Sequence, residues 1–175
     1  DIKMDALFSQ FQKLPIDKSL ISLEPGSIEV SYFCYPVNAV PIGFEGGILY
    51  CFLPEYGGMV FAANPESCAD RCVYPLAQTF SDFLRLILAC GSANPVEQIV
   101  WMSRELFENH LRAERAIQTE EQKAALELLQ STFNLTPMED PFSYVKTLQE
   151  SFDDSKIQYS DEYYDCTGLE RPGQE

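Results

Sequence analysis

Apolar and polar positions change texture three times along the chain. Leu7, Phe8 and Phe11 recur at helical spacing within Ile2–Phe11, which predicts a short amphipathic helix that fails by Pro15. After the Pro25-Gly26 turn, Ile28, Val30 and Tyr32 alternate with Glu29, Ser31 and Phe33, the period of a strand. Further strand-like runs cover Ala39–Phe44, Ile48–Leu53, Met59–Ala63 and Cys72–Leu76, separated by Glu45-Gly46-Gly47, by Pro54–Gly58 and by the Asn64–Asp70 loop. Connections this short join antiparallel neighbours, so the region reads as a β-meander. From Thr79 the period becomes helical again: Phe80, Phe83, Leu84, Ile87 and Leu88 form a stripe that Gly91 closes as a C-terminal cap.

Later helix starts are marked by capping residues. Asn94-Pro95-Val96-Glu97 offers an N-cap, a proline at N1 and a glutamate at N3, and Ser103 opens a helix through Leu106, Phe107 and Leu111. Thr119-Glu120-Glu121-Gln122 has the form of a capping box ahead of Leu126, Leu129 and Phe133. Asp140-Pro141 begins a last helix with Tyr144, Val145, Leu148 and Phe152. Strands followed by helices predict an α+β fold: a mainly antiparallel meander, helices packed on one face and a helical C-terminal extension. A chain of 175 residues suits one domain over 1–175, strand-rich over 27–77 and helical over 79–153.

Composition narrows the chemistry. Twelve basic residues against 27 acidic ones leave a net charge of −15, and residues 97–175 hold 17 of the acids. Such a surface repels nucleic-acid phosphates and anionic lipid heads and attracts basic proteins. Apolar runs stay well short of the ~20 residues that span a bilayer, so no membrane is expected. The opening Asp-Ile-Lys-Met-Asp lacks the basic-then-apolar order of a secretory signal. Cys34, Cys51 and Cys90 lie in apolar runs, where a free thiol packs as a small hydrophobe, and reduced cysteines point to the cytoplasm. Cys68 and Cys72 stand four apart in a polar stretch and are spaced to pair, although free thiols fit the same compartment.

Familiar catalytic and cofactor arrangements find few residues here. His110 is the one histidine and sits in Glu-Asn-His-Leu-Arg on a charged helix, which suits an exposed structural role. The glycine pairs fit hairpin turns and lack the lysine of a phosphate-binding loop. Cys68/Cys72 has no second pair to complete a zinc site, and the acidic C-terminal stretch lacks the ligand alternation of a calcium loop. These features predict no catalytic residues, no metal and no cofactor. A hydrolase working with two carboxylates remains as an alternative.

The stretch with the character of a contact surface is 150–175, with eight acids and two bases. Asp153, Asp154, Tyr159, Asp161, Glu162, Tyr163, Tyr164 and Asp165 are its candidate partner-binding residues. Tyrosine supplies stiff contact area, and carboxylates beside it suit lysine and arginine. The competing reading is a tail whose tyrosines pack back onto the domain while the charges face water.

The run Gly46-Gly47-Ile48-Leu49-Tyr50 through Gly57-Gly58-Met59-Val60-Phe61 resembles the central hairpin of the SUKH superfamily. That group includes fungal glucan-synthesis regulators and bacterial immunity proteins. Tyr74-Pro75-Leu76-Ala77-Gln78-Thr79-Phe80-Ser81-Asp82-Phe83-Leu84 is similar to the family's next segment, in which a Ser/Thr-Phe-x-x-Phe-Leu element opens a helix. The resemblance covers about residues 40–91; ahead of it, Leu14-Pro15 is separated from Glu45-Gly46-Gly47 by extra strand-like sequence. It implies an α+β fold and a non-catalytic protein that, in a bacterium, binds and neutralises a basic, nuclease-like toxin. A regulatory scaffold of the cell-wall-synthesis type is the alternative it leaves open.

Overall fold

The computed structural model of the chain describes residues 6–173. Its centre is a four-stranded antiparallel meander in the order β1 (Val40–Glu45), β2 (Ile48–Phe52), β3 (Val60–Ala63) and β4 (Val73–Ala77). Glu45 pairs with Ile48, so Gly46-Gly47 is a two-residue hairpin turn, and Gly46 takes a φ of +57° that an L side chain rarely adopts. Gly43 is needed for a different reason. A Cβ there would lie 2.8 Å from the Leu23 backbone, where an incoming segment runs against β1.

Alternation along the strands sorts side chains into two cores. Tyr50, Phe52, Val60, Ala62, Tyr74 and Leu76 face a large cluster; Leu49, Cys51, Leu53, Phe61, Ala63 and Val73 face a smaller one. The large cluster is closed by α1 (Ala6–Lys13), α2 (Phe80–Cys90), α3 (Ala93–Gln98) and α6 (Pro141–Glu150). Phe8 sits edge-on to Phe52 and Phe80, each at 5.2 Å between ring centres. The α+β fold is as the sequence predicts, and these helices share one face. The opposite face is also dry. Irregular chain around Cys34 and Tyr35 covers it, with Phe152, Ile157 and the short helix α7 (Asp161–Thr167), whose Tyr163 packs there.

The remaining helices, α4 (Arg104–Ala116) and α5 (Glu120–Phe133), extend from the large core. Their starts are capped as expected: Leu106 N–H donates to Ser103 Oγ at 3.2 Å and Gln122 N–H to Thr119 Oγ1 at 3.1 Å. Asp140 caps α6 through Ser143 N–H at 3.1 Å, and Gly91 closes α2 with a φ of +91°. The expected capping box at Thr119 is half formed, because the Gln122 side chain donates to Gly91 O at 2.8 Å instead of reaching back.

Other expectations need correction. The alternating run from Ile28 is not a strand: Val30 and Tyr32 are exposed while Cys34 and Tyr35 are buried. The place beside β1 is taken by Glu24, whose N–H and C=O both pair with Phe44 at 2.9 and 2.8 Å, so the later segment has no neighbour to pair with. The strand-rich part of the chain therefore spans 40–77. The first predicted helix runs Ala6–Lys13; its expected first turn at residues 2–5 lies outside the described residues. Helix α3 begins two residues early, at Ala93 after Ser92, because Asn94 and Glu97 are drawn into interior hydrogen bonds. Phe152 lies beyond the end of α6 and packs on Tyr56 and Phe61.

Candidate functional site

The eight C-terminal residues singled out by sequence lie close together in the chain, and the structure divides their roles. Asp153 caps a 3-10 turn at Asp154–Lys156 by accepting Ser155 N–H at 3.0 Å. Tyr56, nearly a hundred residues earlier, clamps that turn. Its hydroxyl donates to Asp153 O at 2.8 Å and accepts Lys156 N–H at 3.0 Å. Ile157 is then buried, and Val37 N–H donates to Gln158 O at 2.9 Å, so the segment is fixed to the sheet's second face.

The tyrosines continue that attachment. Tyr159 and Tyr163 stack 3.6 Å apart at an angle of 10°, and Tyr163 also lies parallel to Phe33 at 6.4 Å. Burial raises the Tyr159 and Tyr163 hydroxyls above their ordinary value. Tyr164 stands edge-on to Tyr163, with the Arg171 guanidinium 5.4 Å from its ring centre. The packing reading therefore describes Tyr159 and Tyr163.

The carboxylates point outward. Asp161 and Asp165, four apart on α7, pair with Arg171 at 3.3 and 3.2 Å, which neutralises part of the acidic helix. Asp153, Asp154 and Glu162 make no ion pair within 4 Å among the described residues. Half-buried Glu55, on the β2–β3 connection, adds a further carboxylate close to Tyr56. Burial raises the Tyr56 hydroxyl first, and the negative charges of Asp153, Asp154 and Glu55 add to that shift. Nothing in the local sequence linked Glu55 to residues so far along the chain.

Sequence reasoning also missed a polar network on the other face. Glu97 is 1% exposed, and its carboxylate accepts hydrogen bonds from the Tyr74 hydroxyl, from Asn64 Nδ2 at 2.9 Å and from the Gln98 amide. Gln98 Oε1 in turn accepts Trp101 Nε1–H at 2.7 Å. Nearby, Glu45 Oε1 accepts from the Tyr50 hydroxyl and from Asn94 Nδ2, each at 3.1 Å. Both Glu97 oxygens accept from neutral donors within a buried side chain, so the group ties α3 to β4 and to the loop after β3.

Among the described residues no three His, Cys, Asp or Glu side chains are grouped to hold a metal ion, and no helix is long and apolar enough to cross a membrane. All six cysteines are free thiols; Cys34, Cys51 and Cys90 are buried as expected, and burial pushes Cys34 and Cys90 up to about 12. No protein-family model matches the chain, and no curated protein or solved structure matches it. Fold and surface thus define a meander-based α+β domain with an anchored acidic segment across its second face.

Proposed function

We propose that the chain is a non-catalytic protein-binding domain that recognises a basic partner, of the kind an immunity-type inhibitor neutralises when it blocks a nuclease-like toxin. The observation that carries this reading is the division of labour in the C-terminal segment. Tyr56, Tyr159 and Tyr163 fix its backbone to the sheet, while Asp153, Asp154 and Glu162 remain exposed and unpaired within 4 Å among the described residues. Charges presented from a fixed backbone lose little entropy when a partner's lysines and arginines arrive. The net charge of −15 steers such a partner toward the domain from a distance. A basic surface that engages phosphates is the complement of this one, so the domain competes with nucleic acid for it. The SUKH resemblance points the same way.

Affinity capture from native lysate at low and high salt recovers the partner for identification. Association rates are then measured against ionic strength. The rate for the wild type should fall steeply as salt screens the charges. Asp154→Lys with Glu162→Lys should slow association about tenfold at low salt, with a smaller effect on dissociation. These positions are chosen because they reverse charge without breaking the Arg171 clamp. Unchanged association kinetics in that double variant would remove this surface from the reading.

A further inference from the structure

A second surface lies along the outer edge of β4. The edge strand is blunted there by Pro75, which has no N–H to offer, and by Gln149 Nε2, which donates to Pro75 O at 3.1 Å. Beside it opens a groove of about 530 Å3, between the loop that carries Arg71, the 3-10 turn Ile99–Trp101 and the last turns of α6. That volume falls in the range of small-molecule sites, about 300–1,000 Å3.

Trp101 forms one wall. It is 41% exposed, yet its indole N–H is already satisfied by Gln98, which is held by the buried Glu97 carboxylate. The ring is therefore oriented from the interior, and what it presents to the groove is an apolar, polarisable face. Two cations share the groove. Lys146 Nζ donates to Val100 O at 3.2 Å, leaving two of its N–H groups uncommitted by that bond. Arg71 makes no hydrogen bond or ion pair with a described residue, whereas Arg85, Arg104, Arg112, Arg115 and Arg171 each donate to an acceptor. A chain with 27 acids and 12 bases has carboxylates to spare, and it leaves this guanidinium open at a cavity wall. Asp70 and Glu150 also line the groove, so a long polyanion meets repulsion there.

We propose that this groove binds a compact planar anion, one flat ring bearing a single carboxylate or phosphate, with the ring on Trp101 and the anionic group between Arg71 and Lys146. Ring stacking and a charge-assisted contact to the guanidinium supply the affinity. The site shares only Glu150 with the 150–175 stretch and needs no protein partner.

Trp101 is the single tryptophan of the chain, so its fluorescence reports on the groove alone. The full chain is titrated with benzoate and with phenyl phosphate, against benzylamine for ring without anion and acetate for anion without ring, all at one ionic strength. Benzoate, phenyl phosphate or both should quench the emission saturably and shift the indole N–H resonance, with a dissociation constant on the order of 1 mM for such small probes. Which of the two binds more tightly distinguishes a carboxylate ligand from a phosphate ligand. Benzylamine and acetate should each bind at least about fivefold more weakly. Arg71→Ala, which breaks no hydrogen bond or ion pair with a described residue, should weaken binding about fivefold or more with an unchanged circular dichroism spectrum, and Lys146→Gln should act in the same direction. The proposal is overturned if neither aryl anion saturates by about 10 mM, if benzylamine or acetate binds as well as they do, or if Arg71→Ala binds like the wild type.

Discussion

Glu97 shows how a single side chain can organise a region of the molecule. Its carboxylate is buried without a cation and is held by three neutral donors, from Asn64, Tyr74 and Gln98. Glu97→Ala strands the buried Tyr74 hydroxyl and takes the acceptor from two half-buried amides, at a cost of about 3 kcal/mol. Glu97→Gln keeps the volume and one acceptor, and should cost less. Urea unfolding monitored by circular dichroism measures both. A Glu97→Ala midpoint equal to that of the wild type would mean the network carries no stability. None of this was legible in the sequence. Pro95-Val96-Glu97 reads as the acidic first turn of a helix, and the residues that bury Glu97 come from β4 and from the loop after β3. The same blindness applied to the C-terminal segment. Carboxylates and tyrosines were recognisable there as types, but which ones anchor and which ones face water depends on Phe33 and Tyr56, far back in the chain.

Elements were far more legible than their partners, because a helix start is written within four residues. Thr79, Ser103, Thr119 and Asp140 each accept the N–H three residues on, as the local sequence predicts. Asp140 adds a contact to Arg104 Nη2 at 3.2 Å. That hydrogen bond first, and the one from Ser143 N–H second, hold its carboxyl below the ordinary value of 3.8. The folded pKa is depressed, so the stabilisation is present above 3.8 and fades as pH falls through the lower, folded value. Asp140→Ala should cost about 1 kcal/mol at neutral pH and remove this part of the acid sensitivity, with the loss of the cap outweighing the exposed ion pair. Thermal unfolding at neutral and acid pH tests it; a cost that is the same at both would show that the charge plays no part. The failed strand at residues 28–33 marks the limit of such local reading. Alternation reports which residues would share a face, but a strand also needs a free edge, and Glu24 had taken the one on β1.

At the scale of the whole molecule, the two cores share a property that neither the net charge nor the element order reveals. Seven of the nine tyrosines, at positions 35, 50, 56, 74, 144, 159 and 163, have hydroxyls shifted above the ordinary value of 10.0, and burial is the first cause in every case. Tyr35 and Tyr144 are pushed up to about 12; after burial, the neighbouring carboxylate of Glu45 adds to the upward shift of Tyr50 and that of Glu97 to the shift of Tyr74. An unfolded chain releases these protons near 10 and the folded one keeps them. The stability they contribute is therefore complete below 10 and is lost as pH climbs from there through about 12. Lysines discharge over the same interval, and self-repulsion in a chain already at −15 adds to the loss. The domain should consequently unfold cooperatively in alkali, with most of the tyrosinate absorbance appearing together with the loss of the helical signal. Titration from about pH 9 upward, following both signals, decides the matter. If the tyrosines ionise gradually near 10 while the helical signal persists, their hydroxyls are not held by the two cores in the way the packing requires.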